Sequence, residues 1–269
     1  MSSFPEIDFA IPGTVAGHSA HGIISEDEWG RYVLLKGVAP VDVTASPFHQ
    51  TLSAFENLER ELKSIGMDFS SVVRTWLYAD HILDWYADLN KARNTFFSAR
   101  GIYDRYVPAS TGIGWSCGGG AKIVLGAFAA RGAVEREMLP SPLQCPALEY
   151  GSSFSRAAEL RTPGWRRVVV SGTASILPGS HEVAHVGDID AQIACTMRAV
   201  EAIYASRGMS WRDLTGALVY LKRGEFRSAW ERWLAGHPEF PRAHSRAIEA
   251  DVCRPEWLFE IESDATTCR

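Results

Sequence analysis

The sequence predicts an α/β chain made of two tandem ββαβαββ repeats, each a mixed sheet with two helices on one face. Three observations predict it. Arg31 to Val41 resembles Arg166 to Ile176, each an apolar run, a glycine and a second run. Gly66 to Tyr78 resembles Gly208 to Tyr220, and both segments open on Gly-Met. The matches also keep their order: Gly37 to Gly172 is a step of 135 residues, and Gly66 to Gly208 one of 142.

The glycine inside each opening run reads as a bend or bulge in a strand. Pro47 to Ser64 follows as a helix, with Leu52, Phe55, Leu58, Leu62 and Ile65 on one stripe and Ser46 as N-cap. Its counterpart over Ile189 to Ser206 carries Ile193, Met197, Val200 and Ile203 behind Asp188. Gly66 and Gly208 stand where a C-terminal glycine stops a helix. Strands over Val72–Tyr78 and Leu214–Leu221 come next, then helices over Ile82–Ala99 and Glu225–Leu234. Ala121–Ala130 closes the first repeat, and Ile248–Cys253 with Trp257–Glu262 closes the second. The segment 134–149, with Pro140, Pro142 and Pro146, reads as a linker between repeats at 1–133 and 150–269.

Hydrophobic residues make up 46% of the 269 and charged residues 22%, which suits a globular protein with a core. A net charge of −5 argues against nucleic acid as a partner, yet leaves room for a small acidic substrate held by buried arginines. Five scattered cysteines without a CxxC pair suggest neither a disulfide framework nor a zinc site. His18 and His21 lie in the N-terminal segment, and His181 and His185 in a loop before a helix, so no metal and no cofactor are expected. Met1 to Gly13 has no basic n-region, and no apolar run approaches the roughly 20 residues of a membrane span. A cytoplasmic protein without a membrane partner is the expectation.

The readable chemistry concentrates in Glu249 to Glu262. Read as a hairpin around Arg254-Pro255-Glu256, its second strand puts Trp257, Phe259 and Ile261 on one face and Leu258, Glu260 and Glu262 on the other. The first repeat offers Val124 and Gly126 at the two acidic positions. A solvated face would more often keep polar residues in both copies, so Glu260 is a candidate acid whose pKa apolar surroundings would raise. The alternative, an ordinary solvated face, stays open. Cys253, at the end of the preceding strand, is the second catalytic candidate, against the plainer reading of a buried filler. Arg156, among small residues beside Phe154, suits a substrate carboxylate, against a structural salt bridge. Pro108 to Gly114, with Thr111 and Gly112, reads as a glycine-rich loop that lets a ligand approach backbone N–H groups, against a plain turn. It matches neither a dinucleotide fingerprint nor a Walker loop.

On these residues the chain resembles the reactive-intermediate deaminase (Rid) superfamily, whose fold is an α+β, chorismate-mutase-like ββαβαββ unit. The markers are Phe154 to Ala157, Val170 to Ser175 and Phe259 to Glu262. Pro108 to Gly114 and Asp251 to Arg254 further resemble the chorismatase branch. Its enzymes cleave the enolpyruvyl ether of chorismate by general acid catalysis and release pyruvate. The resemblance implies Glu260 as the functional acid, Arg156 as a carboxylate-binding arginine, Gly172 and Thr173 beside the ligand, and Cys253 in the hairpin. It leaves Arg93 or Arg100 to serve a second carboxylate. Ser110 and Ser245, the latter flanked by Arg242 and Arg246, depart from the arginine that simple deaminases carry there. Three functions follow: a chorismatase-like hydrolase or lyase, a Rid-type enamine or imine deaminase, and a non-catalytic binding module. Family sites lie between units of a ring of three, so a homo-oligomer with a small carboxylate substrate is expected.

Overall fold

The computed structural model describes residues 11–268; Arg269 and residues 1–10, the latter part of the stretch read for a leader, lie outside them. The first half runs β1 (Thr14–Ser19), β2 (Gly22–Glu26), β3 (Gly30–Val38), α1 (Pro47–Ser64), β4 (Val72–Ala79), α2 (Ile82–Ala99), β5 (Ala109–Gly114) and β6 (Ile123–Gly132). The second runs β7 (Glu135–Leu139), β8 (Ala157–Arg161), β9 (Trp165–Ala174), α3 (Ile189–Ala205), β10 (Leu214–Leu221), α4 (Arg227–Gly236), β11 (Ser245–Glu249), β12 (Asp251–Val252) and β13 (Phe259–Cys268). One sheet is ordered β1-β2-β3-β6-β4-β5-β12 and the other, read from its far edge, β7-β8-β9-β13-β10-β11. Strand for strand the order is the same, apart from β12. The duplication is therefore a βββαβαββ unit used twice.

The local reasons are shared too. Ser46 and Asp188 cap α1 and α3 by accepting from the N–H of His49 and Ala191. Gly66 at φ 77° and Gly208 at φ 66° then let the chain turn back. The Met67 N–H reaches the Leu62 carbonyl at 2.8 Å and the Met209 N–H that of Tyr204 at 2.9 Å, while each glycine bonds three residues back. Both methionines end buried, which explains the repeated Gly-Met.

Alternation along the strands makes four layers. Val33, Leu35 and Leu77 face α1 and α2, and Val168, Val170 and Val219 face α3 and α4. Tyr32, Leu34, Trp76 and Phe128 of one sheet meet Leu160, Trp165, Val169 and Leu218 of the other, so the sheets pack face to face between the helical layers. Each such fully buried side chain contributes about 1.5–3 kcal/mol of transfer free energy.

Three readings are corrected. Glu135–Leu139, inside the expected linker, is β7, antiparallel to β8; it is the first strand of the second repeat, and Pro140 to Arg156 is an insertion within that repeat. The Pro108 to Gly114 glycine-rich loop is β5, whose backbone pairs in parallel with β4. Glu249 to Glu262 is not a hairpin. β12 leaves for the first sheet and pairs with β5, while β13 lies between β9 and β10. Trp257, ahead of β13, escapes the alternation and packs between the sheets, donating from Nε1 to the Ser175 carbonyl at 2.9 Å.

Candidate active site

Glu260 sits on β13 opposite Tyr220 of β10 and Ala174 of β9. Between Thr173 and Val170 the pairing takes two residues of β9, Ser171 and Gly172, against Glu262 alone. This is a β-bulge, and the first repeat has its match at Lys36 and Gly37. The bulge brings the bare backbone of Gly172 under the Glu260 carboxyl: a Cβ there would lie 2.1 Å from Oε1. Gly172 is glycine because the acid occupies the place of its side chain.

The carboxyl opens into a narrow, partly open pocket between the two repeats. The first repeat supplies Leu77, Tyr86, Leu89 and Arg93, together with Ser110 and Gly112 of β5. The second supplies the Pro140–Arg156 insertion, through Tyr150, Ser152, Phe154 and Arg156, and the β12–β13 crossing, through Cys253, Arg254 and Trp257. Ser171 ties the wall together, donating to the Ser155 carbonyl at 2.6 Å and accepting from the Ser110 N–H at 2.9 Å. Both halves of one chain thus line the pocket.

The electrostatics are lopsided. Burial, and after it the charge of Glu262, pushes the Glu260 carboxyl up to about 8, with Arg156 pulling the other way. The acid is protonated at neutral pH. Arg156, 4% exposed, gives two N–H groups to the Cys145 carbonyl at 2.9 and 2.8 Å and lies over the Tyr150 and Phe154 rings. Arg93, 3% exposed, donates to Asn90 at 2.6 Å and keeps a buried Nε without a hydrogen-bond partner. Arg254 donates to the His181 carbonyl at 2.6 Å and lies over Trp257. Among the described residues, none of the three has a carboxylate partner. Arg93 and Arg156 are buried and Arg254 is half-buried; buried cations in that condition point to an anionic ligand.

Of the residues expected from sequence, Glu260, Cys253, Arg156, Phe154, Gly172, Arg93 and Gly112 meet at this pocket. Thr173 does not: with Gly172 facing the pocket, alternation turns it to the other face, where it donates to the Ser171 carbonyl at 2.8 Å. Thr111 lies behind the wall, its hydroxyl taken up by Glu262 and the Gly172 N–H. Arg100 is bidentate to Glu59 at 3.0 and 2.9 Å, away from the pocket. Burial, then the nearby Glu260, pushes the Cys253 thiol up to about 12, so it is a neutral wall atom beside Tyr86 rather than a thiolate.

Sequence reasoning missed Arg254, Tyr86 and Tyr150. Arg254 and Tyr150 were within reach, the one next to Cys253 and the other in the segment that holds Arg156, but Tyr86 read as core. It also passed over the HExxH spacing of His181 to His185. That spacing chelates on a helix, where positions four apart share a face. Here Val183 bridges Ile176 and His185 has φ 57°, so the segment is extended and turned.

No family model matches the chain. It is 30% identical over 221 residues to a chorismatase of Streptomyces rapamycinicus, covering 73% of this chain and 64% of that one. It is 28% identical over 264 residues to a chorismatase of Streptomyces hygroscopicus, covering 90% and 70%. The chain is a chorismatase homologue. It spans less than two thirds of the first relative's length. A crystal structure of a chorismatase superimposes with a TM-score of 0.70 at 23% identity, over 93% of this homologue and 78% of that chain, so the fold is the same. No helix among the described residues is long and apolar enough to cross a membrane.

Proposed function

We propose that this chorismatase homologue cleaves the enolpyruvyl ether of chorismate, or of a similar small dicarboxylate, and releases pyruvate. One observation carries the reading: a protonated carboxyl and three arginines without carboxylate partners line one pocket. The arginines suit the two carboxylates of such a substrate. The neutral acid suits an enol ether, which must be protonated on carbon before its ether bond weakens.

Glu260 gives its proton to the methylene carbon, and the ether oxygen stabilises the oxocarbenium ion that forms. Water adds to the cationic carbon and returns a proton to the Glu260 carboxylate. The resulting hemiketal collapses by breaking the carbon–oxygen bond to the ring, which yields pyruvate and a ring alcohol. Cys253, held as a thiol, supplies shape rather than a nucleophile.

Chorismate supplied to the purified protein should release pyruvate, followed through a lactate dehydrogenase coupled reaction. Glu260→Gln should lower the rate by about 100-fold or more. Absence of pyruvate above background would overturn the proposal. Ammonia from a freshly generated imine would favour the deaminase instead, although Ser110 in the pocket and Ser245 at the matching register of β11 leave that reading without its arginine.

A further inference from the structure

The polar groups behind the pocket form a chain of contacts that the proposed chemistry does not use. Glu262 is completely buried between the sheets and is held by Arg74, by Trp76 Nε1 at 2.9 Å and by the Tyr220 hydroxyl at 2.8 Å. Its remaining donor is the Thr111 hydroxyl, from the first repeat. The same oxygen accepts the Gly172 N–H at 3.0 Å and a longer contact from Arg74 at 3.4 Å. One donor and two acceptors exhaust a hydroxyl. Thr111 therefore has nothing left to offer a ligand, and what it grips is the bulged backbone on which the acid rests.

We propose that Thr111 is a positioning residue for the acid: its hydroxyl, oriented by Glu262, fixes the Gly172 bulge and thereby the aim of the Glu260 carboxyl. A bulge leaves its extra residue outside the strand ladder, so its backbone needs another anchor. The Thr111 hydroxyl is the anchor for the Gly172 N–H, and it comes from β5 of the other repeat. Its methyl group presses from the same side, 3.0 Å from where a Gly172 Cβ would be. The Glu260 carboxyl, on the opposite strand, is thus held against a floor set by the first repeat. Displacing a reacting group by about 1 Å costs on the order of 100-fold in rate.

The inference rests on Glu260 being the proton donor, and its test separates the two ideas. Thr111→Val keeps the shape and removes the hydroxyl; Thr111→Ser keeps the hydroxyl. With chorismate, Thr111→Val should lower kcat by about 10- to 100-fold with KM changed less than about threefold, and Thr111→Ser should recover most of the loss. A second readout needs no turnover: the infrared C=O band of the protonated Glu260, assigned by difference against Glu260→Gln. It should shift in Thr111→Val and return in Thr111→Ser. Full kcat in Thr111→Val, or Thr111→Ser as impaired as Thr111→Val, would overturn the inference. If the wild-type protein leaves chorismate untouched, the functional reading fails, and the band alone then decides the role of Thr111: a shift supports it and an unchanged band overturns it. Should Thr111→Val not fold, Thr111→Ala carries the same expectations.

Discussion

The two repeats share a frame and differ in what is hung on it. Register pairs Tyr78 with Val124 in the first and Tyr220 with Glu260 in the second, Trp76 with Gly126 and Leu218 with Glu262. At matching positions one repeat carries an apolar strand and the other a strand of acids. Two insertions accompany the acids, Pro140 to Arg156 and the β12–β13 crossing, and both reach across to the β5 edge of the first repeat. The unadorned repeat supplies that edge, the α2 wall and one arginine. The second repeat thus brings the acid and both insertions to the pocket, and the first brings the wall opposite them.

If the first repeat were scaffold alone, its cations would be interchangeable, and α2 offers a direct comparison. Arg93 lines the pocket with a buried, unpartnered Nε, whereas Arg100 is already bound to Glu59. Removing one partner of a buried charge pair costs about 2–5 kcal/mol, so Arg93→Met should lower kcat/KM for chorismate by roughly 30- to 4000-fold. Arg100→Met should leave it within about twofold. Equal effects from the two variants would mean that the first repeat does not touch substrate.

The bulge glycines sharpen the contrast on a smaller scale. Gly37 has φ 72°, a conformation that costs a residue with a Cβ about 1–2 kcal/mol. Gly172 has no such φ; its Cβ would instead meet the Glu260 carboxyl and the Thr111 methyl group. The carboxyl is the end of a flexible side chain and can swing away. Gly172→Ala should therefore lower pyruvate release by about tenfold or more while moving Tm little. Gly37→Ala should leave turnover intact and lower Tm by roughly 2–8 °C. One letter, repeated by descent, serves backbone freedom in one copy and room for an acid in the other.

That double meaning marks where sequence reading reached its limit. The helices were legible because caps, stripes and the Gly-Met stops are local, and β3 and β9 were legible because one glycine interrupts both. β5 was not, since Ala109 to Gly114 is small and polar and becomes a strand only through β4 on one side and β12 on the other. β7 was hidden by the three prolines that follow it. In the site, Glu260 stood out as an acid in one copy against a valine in the other. Thr111 and Thr173 could not be sorted, because their side-chain directions depend on registers that no local pattern sets. Tyr86 read as core because a pocket wall and a core present the same apolar rings to the sequence.

The smallest expected effect concerns stability and separates the repeats by their acids. Folded, Glu260 holds its proton up to about pH 8, first because it is buried and then because Glu262 stands beside it. Unfolded, it ionises in the ordinary carboxylate range near 4.3. Between these two values the folded chain binds the extra proton, so this group's contribution to stability is complete below the ordinary range and is lost as the pH rises through about 8. Val124, at the same place in the first repeat, has nothing to titrate. Glu260→Gln removes the proton and keeps the shape, so its Tm should gain on the wild type as the pH rises between about 5 and 9. Turnover should fall over the upper part of that window, as the acid loses the proton it must donate. A Tm difference that stays flat across the range would mean that Glu260 ionises like an exposed carboxylate. The acid strand of the second repeat would then be no better suited to donate a proton than its apolar twin.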